Sequence, residues 1–376
     1  MDFRFSEEQV LLRNLVNNFV RDKYAFEART KWLASDAGRS PEIWNEMAQL
    51  GLLGASLPEE FGGSGGGAIE TMIIAEELGR GLVIEPYLQS VVVCAGLLAR
   101  HGDKAQQAHI SEIAAGTSIF ALAHSEPQSR FLLHDCTTTA QKKGSGWTLN
   151  GEKAVVISAP FADWLIVSAR TSGKQYDAKG ISLFLVKADA QGVTRKAWRT
   201  VDGNRAAEVN LDNVALESAA LLGGADAGLA LLEEAQDHAI AALAAEAMGC
   251  MKMLNDATTD YCKTRKQFGV PLSSFQTLQH RMVDMFTSYE QSLSITYMAT
   301  LKLDAQPAER GRAASAAKAH IGKAGRHIGQ EAIQLHGGMG MSEELRVGHY
   351  FKRLTMIDAQ FGDVAHHLRR FASYEG

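Results

Sequence analysis

The chain has 376 residues, of which 46% are hydrophobic and 22% charged, and a net charge of −5. That suffices for roughly two or three domains with a sizeable core, and its mild acidity argues against nucleic acid or an acidic membrane surface as partner. No run approaches the roughly 20 apolar residues of a membrane helix. The start, MDFRFSEEQV, is charged and lacks the apolar centre of a secretory signal. Cys94, Cys136, Cys250 and Cys262 follow no ligand spacing and read as thiols of a reducing compartment, so a cytoplasmic protein is expected.

Residues 1–118 read as helical. Ser6 and Gln9 form a capping-box pattern, and Val10, Leu11, Leu15 and Phe19 follow at helical spacing. A second helix fits SPEIWNEMAQLG, with Pro41 in its first turn and Gly51 past its end. AIETMIIAEELGRG is a third, and helices fit 88–101 and 103–115. Residues 119–222 change character to short Val- and Thr-rich strands broken by turns, which suggests a sandwich or barrel. Asn150-Gly151 lies between two apolar runs and is the signal for a tight hairpin. Residues 223–376 return to long helices over about 226–265, 274–305, 308–335 and 343–373, the last interrupted near Gly362. Short connections between them suggest an antiparallel bundle. Helices, then strands, then helices give an α+β multidomain chain rather than a βαβ sheet.

Several stretches invite a functional reading. EEFGGSGGG, 59–67, lacks the Lys-Ser/Thr of a phosphate loop and follows no strand, so it reads as a flexible inter-helix loop. RKQFGVPLSSFQ, 265–276, is richer. Arg265 offers a planar fork for phosphate oxygens, Phe268-Gly269 sit in the helix break, and Gln276 opens the next helix. The same residues also suit a plain helix corner, with Pro271 in the turn and Ser273 to Gln276 as a capping box. QLHGGMG, 334–340, ends a helix on two glycines, which terminate helices and also admit close ligands. His366 and His367 are adjacent and point to different helix faces, and His320 and His327 have no third ligand in view, so no metal site is expected.

Together these stretches resemble the acyl-CoA dehydrogenase family, along essentially the whole chain. PEEFGG and AEELGRG carry the resemblance in the N-terminal region, SEP (125–127), LNGEK (149–153) and ADWLIVSART (162–171) in the middle, and TRKQFGVPLSSFQ and QLHGGMGM near the end. The resemblance implies an N-terminal α-helical domain (1–118), a middle β-barrel or sandwich domain (119–222) and a C-terminal four-helix bundle (223–376). It implies an FAD flavoprotein of fatty-acid β-oxidation, in which a carboxylate takes the α-proton of an acyl-CoA and the β-hydride passes to the flavin. It implies that Arg265, Phe268, Gln276, Gln334, Gly337 and Gly338 contact the adenosine diphosphate half of an FAD held by a neighbouring subunit. An electron-transfer flavoprotein is the implied electron acceptor, and a homo- or heterotetramer the implied assembly.

The sequence departs from the family where the chemistry is expected. Counting from Gln334, the usual Glu base falls on Phe361, followed by Gly362. The alternative base position, on the first bundle helix, is Ala239. Asp237 is set on the wrong face relative to Ala239, and Glu246, nearly two turns beyond it, is the remaining candidate base: it could share that face but stands about 10 Å away, where proton transfer requires roughly 3 Å. Asp363 is set on the wrong face relative to Phe361 and reads as an N-cap. The family's Trp-Ile-Thr is Val155-Val156-Ile157, and the Gly-Ser-Asp after SEP is Gln128-Ser129-Arg130. The set that serves a neighbour's FAD is kept and the set that serves the chain's own flavin and substrate is eroded. The expectation is therefore a subunit that completes the FAD site of a paralogous partner, resembling the small subunit of two-subunit members such as one acting on pimeloyl-CoA. A self-sufficient homotetramer with another base, and a flavin- or CoA-binding scaffold without activity, are the alternatives.

Overall fold

The structure, a computed structural model, describes residues 4–374. The outermost residues at each end of the expected first and last domains therefore lie outside it. In chain order it contains α1 (Glu7–Lys23), α2 (Phe26–Ala34), α3 (Pro41–Gln49) and α4 (Ala68–Gly81). A π-helical stretch (Tyr87–Ala95) leads into α5 (Gly96–His101), and α6 (Lys104–Ala114) follows. Then come β1 (Phe120–Ala123), β2 (Thr139–Lys143), β3 (Gly146–Ile157), β4 (Trp164–Arg170), β5 (Ile181–Lys187), β6 (Val193–Arg199), β7 (Arg205–Leu216) and β8 (Leu221–Leu222). The last part holds α7 (Gly228–Thr264), β9 (Lys266–Gln267), β10 (Val270–Pro271), α8 (Gln276–Leu301), α9 (Pro307–His336), α10 (Arg346–Ala359) and α11 (Val364–Ala372). By contacts the chain forms two compact units, one of residues up to Lys31, Ala68–Val83 and from Ile240 on, the other of Trp32–Gly67 and Ile84–Ala239.

The second unit is built on one mixed sheet in the order β6-β7-β3-β2-β4-β5-β8, with β1 paired in parallel to β4. β4 and β5 are buried almost residue by residue, so both their faces are covered. β6 is an edge strand with Arg195 and Lys196 exposed, charges that discourage further strand addition. The expected hairpin at Asn150-Gly151 does not form. β3 runs straight through both residues, and the turn falls instead between Lys143 and Gly146. Asn150-Gly151 is an irregularity in the β3–β7 pairing: Gly151 has φ 153°, a Cβ there would collide with Thr138, and Asn150 Oδ1 accepts from the Asn213 backbone N–H at 2.8 Å. The glycine is needed for close approach, not for a turn.

The glycine loop at 59–67 is also more ordered than its composition suggests. The N–H groups of Gly63, Ser64, Gly65 and Gly66 donate to the carbonyls of Pro58, Gly54, Leu57 and Ala55. Those donors are consumed within the loop, so it cannot cradle a phosphate. The helix expected over 88–101 begins as a π-helix and becomes α-helical only at Gly96.

In the first unit α1 starts with the expected Ser6–Gln9 capping box. α4 crosses α7 at the closest approach of the unit. Gly79 lies against the Glu246 backbone and Gly249 against the Glu76 backbone, and a Cβ at either would overlap a carbonyl oxygen. α7 (from Ile240), α8, α9 and α10–α11 form the four-helix bundle, with α9 at its centre. Gly322, Gly325 and Gly329 on α9 admit Asp358, Leu354 and Phe351 of α10. Gly249→Ala is expected to lower stability by about 1–3 kcal/mol through overpacking. Gly338→Ala, where no atom lies within 4 Å of the added methyl, should stay within about 0.5 kcal/mol of the parent. Urea unfolding midpoints of the two variants check this.

Candidate functional site

Where α7 stops, the chain makes a two-stranded ribbon, Gln267 opposite Val270. Its two central residues, Phe268 (φ 54°) and Gly269 (φ 85°), are both left-handed, as a two-residue hairpin turn requires. This strain sets Phe268 92% exposed, edge-on to Phe275 with ring centroids 6.3 Å apart. Arg265 is exposed, and among the described residues its guanidinium meets no carboxylate. Gln276 is the first residue of α8 and is exposed. The expected Ser273–Gln276 capping box is absent: α8 has no side-chain cap, and Gln279 turns back to the Ser273 carbonyl at 2.7 Å. Gln276 is therefore not spent on its own helix.

The glycine turn comes to the same end of the bundle. Tyr261, one turn before Arg265, stacks on His336 with centroids 4.4 Å apart, and its hydroxyl donates to the His336 carbonyl at 3.4 Å. Arg281 of α8 pairs with Glu331 of α9. These contacts fix α7, α8 and α9 together just where Gln334, Gly337 and Gly338 end α9. Gly337 has φ 62°, and Gly269, Gly337 and Gly338 all have open space where a Cβ would stand. An unpartnered guanidinium, an exposed aromatic ring, a free amide and three open glycines make a surface able to take an anionic, flat ligand.

Position 361 is different in kind. α10 ends at Ala359 and α11 is capped by Asp363, whose side chain accepts from the His366 N–H at 2.8 Å. Between them Phe361 (φ 56°) and Gly362 (φ 109°) are both left-handed. Nε2 of the buried His367 donates to the Phe361 carbonyl at 2.8 Å, and the buried Lys318 ammonium donates to the carbonyls of Asp358 and Gly362. Burial lowers the His367 pKa to about 3, so the ring is neutral, and lowers that of Lys318 to about 8 despite Asp358 and Asp363. The corner is held by its backbone, and the side chain it presents is a phenyl ring. Glu246 has both carboxylate oxygens on the Arg353 guanidinium, at 2.5 and 2.7 Å, and ties α7 to α10. Ala239 is fully buried.

In the middle region, sequence reasoning gave SEP and LNGEK only as family likeness and missed what joins them. Lys153 donates to Glu126 at 2.7 Å with both side chains fully buried. Glu126 also accepts from the backbone N–H of Thr137 (2.7 Å) and of Thr138 (3.0 Å), and from Gln128 Nε2 (2.9 Å). Burial alone would raise its pKa, but the Lys153 charge and these hydrogen bonds hold it well below the ordinary carboxylate range. Gln128-Ser129-Arg130, where the family likeness weakens, form the turn that closes this network: Ser129 accepts from the Glu126 N–H at 2.9 Å, and Arg130 has φ 46°. On β3, Val155 bulges out of register with φ 52° and is 47% exposed, Ile157 follows, and Ser158 has φ 67°. No group of three or more potential metal ligands occurs among the described residues, and no helix of theirs is long and apolar enough to cross a membrane.

Three family models cover the chain almost end to end: the acyl-CoA dehydrogenase N-terminal domain matches residues 6–117, the middle domain 121–214 and the C-terminal domain 226–372. The chain belongs to the acyl-CoA dehydrogenase family. It is 32% identical over 367 residues to the probable acyl-CoA dehydrogenase YngJ of Bacillus subtilis (strain 168), covering 95% of each chain. Among solved structures it resembles a variant of the Tcur3481–Tcur3483 steroid ACAD (30% identity, TM-score 0.89, 98% of each chain). It also resembles a chain of the ChsE4–ChsE5 complex from Mycobacterium tuberculosis (26% identity, TM-score 0.90, 99% and 98% covered). The fold is that of the family, an α-helical N-terminal region, a middle β-domain and a C-terminal bundle, and its cofactor is FAD.

The Lys318 clamp yields a pH prediction. An unfolded lysine titrates near about 10.4, the folded one at about 8. Between these values the unfolded chain holds a proton that the folded chain has lost, so the folded state gains stability as pH rises through the window. Below about 8 both forms are charged and the burial penalty is constant. Lys318→Met should be less stable, and the parent should draw further ahead of it between pH about 8 and about 10. Parallel urea midpoints across that range would show that the lysine does not titrate there.

Proposed function

We propose that this chain is the subunit of an FAD-dependent acyl-CoA dehydrogenase that completes a partner's cofactor site, in a heterotetramer with a paralogous chain. The reading keeps three domains divided near residues 118 and 222. The observation that carries it is a contrast. At the α7–α8 corner Arg265, Phe268, Gln276, Gly337 and Gly338 present unspent polar groups and open space. At the two base positions stand Phe361 and Ala239, and Glu246 is spent on Arg353. A likeness to one chain of the two-component ChsE4–ChsE5 complex supports the heteromeric form.

In this reading Arg265 holds pyrophosphate oxygens with its planar fork, Phe268 covers one face of the ligand, and Gln276 and Gln334 donate or accept from their amides. Gly337 and Gly338 let the ligand approach the backbone. Bound FAD would supply the hydride acceptor for the β-carbon of the acyl-CoA. The α-proton goes to a carboxylate of the partner chain, because no acid of this one stands free at either base position. An electron-transfer flavoprotein takes the electrons onward.

Flavin stoichiometry of the purified chain is the direct test. Alone it is expected to be nearly colourless, and to acquire flavin and acyl-CoA-dependent flavin reduction only with its companion. Arg265→Ala should weaken FAD retention in that mixture about 10- to 100-fold, the effect of one charged hydrogen-bonding group. About one FAD per chain in the protein alone, bleached by an acyl-CoA, would make it a self-sufficient homo-oligomer instead. Phe361→Glu is not expected to restore turnover, since Ile157 still offers no hydroxyl to the flavin.

A further inference from the structure

The first unit holds a cavity of about 420 Å³ that shares no residue with the α7–α8 corner or the turn at 361–362. It lies where the ends of α1 and α4 meet Met253 of α7 and the start of α10. Its size is that of a small-molecule site, roughly 300–1,000 Å³. Val20, Tyr24, Leu82 and Tyr350 are buried in its wall, and Phe26 and Met253 complete an apolar lining. Arg21, Ala25 and Arg346 are its exposed members and mark the mouth.

Most polar groups around it are already paired. The Tyr350 hydroxyl donates to the Arg80 carbonyl, and Asn17 Nδ2 donates to Glu77 at 2.9 Å. The Arg80 guanidinium meets Glu76 at 2.9 Å and Glu77 at 3.2 Å. Arg21 shares its charge with the exposed Asp22 beside it. Arg346 is the exception. Among the described residues it meets no carboxylate, and Glu343, three residues before it, is taken by Lys352 and His349. Its guanidinium stands over the Phe26 ring, 5.4 Å from the centroid. Stacking occupies the face of the fork and leaves its N–H edge for a planar anion.

The position sharpens the point. Arg346 is the first residue of α10, whose N-cap, Leu345, offers no side-chain cap and whose first turn holds no acid. A helix start carries about half a positive charge, so an arginine there sets like against like. An anion at the mouth would relieve both. We propose that this cavity binds an organic acid with an apolar body and a single carboxylate. The body lies against Tyr24, Phe26 and Met253, and the carboxylate takes the fork of Arg346 at the start of α10. One unspent positive charge matches one negative charge, whereas a phosphate monoester carries nearer two. The inference is independent of the functional reading above.

Isothermal titration calorimetry of the full chain tests it, with the companion chain where the protein exists as a complex. The probe is 4-phenylbutyrate, compared with 4-phenylbutan-1-ol and 4-phenylbutyl phosphate. The acid is expected to bind about tenfold more tightly than the alcohol, the effect of one charged hydrogen-bonding group. Arg346→Met should remove that advantage and leave the alcohol unchanged. Ala25→Trp, which places an indole in the mouth, should abolish binding of both, with circular dichroism checking the fold of each variant. An acid that the parent does not bind at millimolar concentration overturns the proposal. So does an affinity for the acid that is unchanged in either variant, since the ligand would then be held elsewhere. Tighter binding of the phosphate than of the acid overturns the assignment of a carboxylate ligand.

Discussion

The bundle turns on what Lys318 does. A lysine fully buried on the central helix costs free energy, and no carboxylate oxygen neutralises it directly. Its hydrogen bonds go to the carbonyls of Asp358 and Gly362, which belong to the buried last turn of α10 and the corner beyond it. A helix end leaves carbonyls without partners, and a buried end must find them elsewhere. Lys318 supplies them from α9, and His367 supplies one more from α11. Two buried side chains thereby fasten α9 and α11 to the backbone of the corner that ends α10. The corner's shape is thus independent of the side chain at 361, and a phenyl ring can stand there without disturbing the fold.

The same logic separates kept from spent groups elsewhere. Glu246 faces Arg353 with both oxygens, and the pair joins α7 to α10 beside the glycine crossing of α4 on α7. Removing either partner would strand a charge in the interior, so the pair is committed to structure. Arg265 is the opposite case. It lies at the end of its helix, exposed, and nothing described neutralises it. Phe268 is likewise expensive as placed: a large apolar ring almost wholly in water, on a residue in a left-handed conformation. Strain and exposure together at one turn are hard to account for by this chain's own packing.

How much of this was legible depended on whether one segment contained the whole cause. The α1 capping box, the helices 41–49 and 68–81, and the break near Gly362 each follow from residues a few positions apart, and the structure has them. Asn150-Gly151 misled because the hairpin rule considers only the local chain. The deciding contact is with Thr138 on the neighbouring strand, which a Cβ at 151 would strike. The loop at 59–67 misled for a related reason: flexible composition says nothing about donors taken up by carbonyls at 54–58. Ser273 to Gln276 had the letters of a capping box, but a 3-10 turn over Leu272–Ser274 delays the helix, and Gln279 takes the Ser273 carbonyl. The pairing of Glu126 with Lys153 spans 27 positions and two strands.

The two buried lysines show why such pairs escape a sequence reading and yet decide function. Lys153 meets a full carboxylate that is itself saturated by hydrogen bonds, so its remaining donor capacity is turned on Ser168 and, through it, on His124. Lys318 meets only carbonyl dipoles, and burial lowers its pKa. One lysine is therefore tied, through the Ser168 hydroxyl, to the His124 ring. The other donates to two carbonyls at the α10–α11 corner, and its neighbour His367 donates to a third there. Unpaired polar groups stand at the α7–α8 corner, whereas the turn at 361–362 is part of the frame.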